Sequence, residues 1–417
     1  MRTIPLKLCI ACLSVLLGLT ACDDSSGSKK SVAKPYLVFQ ADDGTHGREL
    51  WVTDGTAAGT KMLADINTTT SDADSGPGNF VSINGKTYFS ADDGTHGPEL
   101  WVTDGTENGT VMVKDINQTG TLHSNPEQFT VMSGSLYFAA DDGVNGQALW
   151  VTDGTTDGTT LVKEINDSMT SNNLTNLTAM GASLFFSADD GTNGSELWTS
   201  DGTSDETGML LDIYTSGSSS YPGNFVVMND MLYFSVWDDD EGSMSSLWVT
   251  DGTADNTDKL SGIWDDNYDE IDYLTVSGDT IYFTADDGIN GMELWSSNAD
   301  GSTIQMVKDI YDGDSSYPEI LTAANGLVYF IADDGTHGCE LWVSDGTEDG
   351  TVMPLDINPS GNNYIFEYAA FGGKLYFTAD DGTNGSELWV SDGTTTGTKM
   401  LLDINTTSLS ANSDPSF

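Results

Sequence analysis

The chain has 417 residues, with 65 acidic against 14 basic side chains and a formal net charge of −51. That balance excludes a nucleic-acid binder, which neutralises phosphate with clustered Lys and Arg. Aromatics at 10% and hydrophobics at 38% exclude a disordered acidic tail, and 46 glycines favour turn-rich β structure.

Arg2 and Lys7 precede an apolar stretch from Leu8 to Leu19, too short to span a bilayer comfortably. It ends in Leu19-Thr20-Ala21-Cys22, which resembles the bacterial lipobox. The resemblance implies that residues 1–21 are a lipoprotein signal peptide and that Cys22 is acylated. The protein would then be lipid-anchored in the bacterial cell envelope, periplasmic or at the cell surface. Asp23 fits the inner-membrane retention rule of enteric lipoproteins. Residues 22–35, with Asp23-Asp24-Ser25-Ser26-Gly27-Ser28-Lys29-Lys30, read as an acylated flexible tether. Cys9 and Cys12 leave with the signal, so the domain contains only Cys339 and no internal disulfide. Cys339 takes a repeat position held elsewhere by Arg48, Pro98, Gln147, Ser195 and Ser386, which marks a tolerant turn rather than a catalytic thiol.

From residue 36 to 417 one unit recurs eight times. Trp51, Trp101, Trp150, Trp198, Trp248, Trp295, Trp342 and Trp389 follow one another at intervals of 47 to 50 residues. A period of that length with several short strands per copy predicts an all-β, eight-bladed β-propeller of four-stranded antiparallel blades. In the second copy the expected strands are 80–83, innermost, then 87–90, 99–102 and 111–114, with an Asn84-Gly85 hairpin after the first. The first copy begins at Tyr36 with a second strand. This predicts a three-stranded first blade, with Asp414-Pro415-Ser416-Phe417 aligned to Gly78-Asn79-Phe80 and reaching back to it.

Glu49-Leu50-Trp51-Val52-Thr53-Asp54-Gly55-Thr56 and its sister segments resemble the ELWxxDGT-repeat family of bacterial exported proteins, over essentially all of 36–405. That likeness implies an envelope or secreted location. Ala41, Asp43, Gly47 and Trp51 have a spacing similar to the tryptophan-docking motif of pyrroloquinoline quinone dehydrogenases and of the propeller lipoprotein of outer-membrane barrel assembly. Both are eight-bladed, and the resemblance implies that each repeat Trp packs between neighbouring blades.

Asp42-Asp43-Gly44 and Asp54-Gly55-Thr56 read as hairpin turns capped by Asp. His46, His96 and His337 share one position with Asn145, Asn193, Asn290 and Asn384, an interchange that predicts a left-handed backbone there rather than a metal-binding or basic His. Acid clustering leaves two readings open: structural capping with adaptation to saline water, or calcium sites. Asp72 and Asp74, and Asp312 and Asp314, are fragments of a calcium-loop pattern without its later ligands.

Blade connections share a face with the turns between second and third strands, and this face carries the variable aromatics Tyr221, Trp237, Trp264, Tyr268, Tyr311, Tyr317 and Tyr364. Exposed rings among Asp, Asn and Ser suit a sugar or a protein hot spot. The expectation is a non-enzymatic binding module of the envelope with a glycan or protein ligand, membrane contact through its lipid only, and no cofactor beyond Ca2+. Alternatives are an envelope assembly scaffold, a calcium-dependent adhesion module, and a carboxylate-pair glycoside hydrolase.

Overall fold

The computed structural model describes residues 36–417 apart from 119–122, 145, 167–173, 216, 239–243, 261–270, 360, 362, 364, 366, 407–411 and 414. Residues 1–35, and with them the signal peptide, Cys22 and the tether, lie outside the described residues, as do Trp264, Tyr268 and Tyr364.

Alternating short apolar runs bounded by Gly, Asp and Asn fold into eight antiparallel sheets. Blade 1 holds β1 (Leu37–Asp42), β2 (Arg48–Thr53) and β3 (Lys61–Ala64). Blade 2 adds the missing inner strand: β4 (Gly78–Ile83), β5 (Lys86–Asp92), β6 (Pro98–Thr103) and β7 (Val111–Lys114). The first strands of successive blades contact one another around the ring, so they line the axis. In blades 2 to 7 each starts on the connection face and slips its register once near the start, between Gly78 and Val81 in β4. Asn79 there has φ 58°.

The first blade is three-stranded, as the sequence predicts. Residues 415–417 reach back to it: Gln40 N donates to Ser416 O at 2.7 Å and Ser416 N to Gln40 O at 3.0 Å. The Phe417 ring lies 5.7 Å from Phe39, the same separation that Phe80 keeps from Phe89 in blade 2. One departure falls in blade 7, whose sheet has three strands plus a single bridge between Val343 and Val352. Pro354 stands where β7 carries Val113, and without an N–H it cannot continue the ladder.

Blades pack through the repeat tryptophans. Trp150 of blade 3 joins a buried cluster with Val81, Tyr88, Leu100 and Val102 of blade 2. Trp51 of blade 1 joins Leu388 and Ile404 of blade 8, which closes the ring. A tyrosine at the second strand of most blades, and Phe185 in blade 4, completes the joint by reaching under the Asp-Gly turn of the following blade. At Gly55 (φ 84°) a Cβ would stand 2.6 Å from Tyr376 Oη, so glycine is required both by conformation and by the approach of blade 8. Burial and the carboxylate of that neighbouring turn push these phenols up, Tyr329 to about 12 with Asp392 beside it. Among the described residues no helix is long and apolar enough to cross a membrane.

Candidate functional site at the channel mouth

Most of the acids build turns. Asp42 Oδ1 accepts from Gly44 N at 2.6 Å, and Asp43 Oδ1 from Thr45 N and His46 N at 2.9 and 3.0 Å. His46 Nδ1 sits 2.9 Å from Asp43 Oδ2, and Asn193 Nδ2 donates to Asp190 Oδ2 at 2.8 Å in blade 4. His and Asn therefore interchange because each puts a side-chain nitrogen on the same carboxylate. This corrects the left-handed reading: among the described residues the positive φ belongs to the following glycine, 74° at Gly47, not to the His or Asn. Burial opposes ionisation of Asp43, but the bonds from His46 and Thr45 win and hold it below the usual carboxylate range.

Three of the four acids in the calcium-loop fragments are otherwise engaged. Arg48 donates Nη2 and Nε to Asp74 Oδ2 at 2.9 and 3.1 Å, and its backbone N to Oδ1 at 2.8 Å. Asp72 accepts from Thr70 Oγ1, and Asp314 from Ser315 N, while Asp312 is exposed. Among the described residues no group of three His, Cys, Asp or Glu is placed to hold a metal ion.

The Glu before Leu-Trp does something its charge does not announce. Glu99 is 0% exposed. Its Oε2 accepts from Ile116 N at 2.8 Å and Ser124 Oγ at 2.7 Å, and its Oε1 from Ser124 N at 3.0 Å. It thus fastens the connection between blades 2 and 3 to the sheet, and Glu49, Glu196, Glu293, Glu340 and Glu387 do the same in their blades. Blades 3 and 5 have Ala148 and Ser246 instead, and there Gln147 Oε1 accepts from Leu174 N and Ser245 Oγ from Ile271 N. The sequence signal was available: Glu sits between core positions of a strand in six copies, and a Ser-x-Pro follows in the connection of most.

Burial raises these carboxylates, Glu293, Glu340 and Glu387 to about 7, against the lowering by their hydrogen bonds. Between about pH 4.5, the ordinary value for Glu, and pH 7 the folded chain therefore binds more protons than the unfolded one, and stability falls as pH rises. The capped turn aspartates act oppositely and only below their ordinary range. We expect a lower urea midpoint at pH 7.5 than at pH 5 at fixed ionic strength, with Glu340→Gln plus Glu387→Gln flattening the difference. Equal midpoints for the wild-type chain at the two pH values would refute the assignment.

At the mouth of the channel the strand heads and connections meet. Asp272 and Glu319 start the innermost strands of blades 6 and 7. Desolvation at the strand head raises Glu319, and repulsion from Asp272 in the adjacent blade adds to it. Beside it Tyr317 is 63% exposed with φ 49°, and Tyr221 in the matching place before blade 5 is 57% exposed with φ 43°. Sister connections use Gly76 and Asn125 there, at φ 52° and 43°. A tyrosine in left-handed backbone before proline costs of order 1–3 kcal/mol. The Trp237 backbone lies beside the residue before Tyr221, because Trp237 N donates to Ser220 O at 2.9 Å. Trp237 takes the strand-end place that Asp92 holds in blade 2. Tyr311 does not join them: its ring packs on the hairpin of blade 7, 2.5 Å from where a Cβ on Gly335 would lie. Burial, with Asp333, Glu319 and Glu340 nearby, pushes the Cys339 thiol up and keeps it protonated.

No family model and no curated protein matches the chain. Among solved structures, a prolyl endopeptidase is similar with TM-score 0.53 and 15% identity, over 78% of this chain and 48% of that one. The propeller domain of the Trilobed protease from Pyrococcus furiosus, described as having an open velcro topology, gives 0.52 and 14%, over 79% of this chain and 98% of that one. A puromycin hydrolase gives 0.51 and 12%, over 78% and 53%. The chain spans about half the length of the endopeptidase and the hydrolase. These likenesses establish the propeller fold. They stand against the expectation of a non-enzymatic envelope module for a glycan or protein, since the similar structures are a prolyl endopeptidase, a propeller domain of a protease and a puromycin hydrolase.

Proposed function

We propose that this chain is a substrate-handling propeller for peptide hydrolysis, whose channel mouth captures extended, cation-bearing peptides. The observation that carries the reading is Tyr317-Pro318-Glu319 set beside Asp272: an exposed ring fixed in strained backbone next to two carboxylates from adjacent blades. Paired acids attract a Lys or Arg side chain, and a phenol face adds cation–π contact. Tyr221 with Trp237 offers a second aromatic hold for an apolar side chain. Likeness to the propellers of peptidases supports peptide as the polymer. The propeller's share is capture rather than bond cleavage.

The test is fluorescence anisotropy with a fluorescein-labelled, N-acetylated octapeptide carrying two central arginines, titrated with the protein in low salt. Asp272→Asn with Glu319→Gln should weaken binding about tenfold, roughly one partly desolvated ion pair. Absence of wild-type binding, or indifference to the double change, overturns the reading.

A further inference from the structure

We propose that the cleft between blades 2 and 3 is a binding site for a primary ammonium group. The cleft has a volume of ≈ 340 Å³, opens beside the channel mouth, and is lined by Asn79, Ser90, Asn125, Glu127, Asp141 and Gln147 among others, none of them basic.

Its chemistry follows from a break in the repeat. The hydroxyl on the second strand at this depth is engaged in sister blades. Ser187 pairs with Ser195 at 2.8 Å, Ser235 accepts from Asn224 Nδ2 at 2.9 Å, and Thr284 donates to Asp272 O at 3.3 Å. In blade 2, Asn79 is the sister of Asn224, yet it turns across the blade boundary and donates to Pro126 O at 3.1 Å. Ser90 is left 8% exposed, lining the cleft without a side-chain hydrogen-bond partner among the described residues. Opposite it, Glu127 is held by Gln147 Nε2, and Gln147 is itself anchored through Oε1 to Leu174 N at 3.0 Å. That anchoring exists because Ala148 replaces the buried Glu in this blade. A fixed carboxylate, a buried hydroxyl and the Asn79 side-chain oxygen can accept the three N–H bonds of an ammonium, and Asp141 adds a second negative charge.

The site stands apart from Asp272 and Glu319 and does not depend on the capture reading, although a peptide supplies such a group at its N-terminus or on a lysine. Isothermal titration at pH 7 and low salt would use glycylglycine amide for the α-amine and Nα-acetyllysine amide for the ε-amine, with N-acetylglycylglycine amide as the neutral control. At least one amine should bind and the control should not, and the better amine identifies the source. Glu127→Gln should weaken binding about tenfold and Ser90→Ala about threefold, with the melting temperature unchanged. Equal binding of the control, no binding of either amine, or full affinity in Glu127→Gln overturns the proposal. The acetylated arginine octapeptide should bind Glu127→Gln as it binds wild type, so failure here and failure of the capture reading are told apart.

Discussion

Glu99→Ala is expected to lower the unfolding free energy by about 3–5 kcal/mol, the range for stripping one partner from a buried, charge-assisted network. The change leaves Ile116 N–H, Ser124 N–H and the Ser124 hydroxyl without their acceptor beneath the connection. Losing a desolvated carboxylate returns part of that cost, which is why the figure is not larger. Blade 3 supplies the control, since Ala148 is tolerated there with Gln147 before it. Pro98→Gln added to Glu99→Ala should therefore recover a substantial part of the loss. Urea unfolding followed by tryptophan fluorescence decides it. A single variant within about 1 kcal/mol of wild type would show that the carboxylate's burial cancels its bonds.

Removal of 415–417 is expected to cost about 2–4 kcal/mol, combining an aromatic contact with main-chain hydrogen bonds. Phe417 covers Phe39, Ser416 exchanges two bonds with Gln40, and Pro415 O accepts from Thr378 Oγ1 of blade 8. Those contacts tie blades 8 and 1, where the inner strand of blade 1 would otherwise stand. Phe417→Ala should show about half the effect, because the backbone exchange survives. An unchanged melting temperature after the deletion would mean that Trp51 and Tyr376 close the ring unaided.

Legibility divided along physical lines. Trp spacing, short apolar runs and Asp-Gly turns each report on contacts within a blade or between adjacent copies. The eight blades, the three-stranded first blade and the capped turns could therefore be read before any coordinates. Blade 7 departs from four strands because one proline interrupts an otherwise intact repeat. The His and Asn interchange does not reveal its cause in sequence, since backbone conformation and side-chain donation leave the same trace there. At the candidate site Tyr221, Trp237 and Tyr317 were legible as irregularities in an otherwise regular face, whereas Tyr311, equally irregular, turned out to pack. Exposure depends on what lies opposite a ring, and a linear pattern does not carry that.

The amino-acid sequence by itself determined the repeat, the blade count and the acidity, because these follow from local periodicity and composition. Only the tertiary structure decided which acids are buried clasps, which are turn caps and which crowd the channel mouth. Burial and the nearness of Asp272 to Glu319 arise when separate blades are brought around one axis. A carboxylate's role is set by its dielectric surroundings and its donors, both supplied by residues distant in the chain.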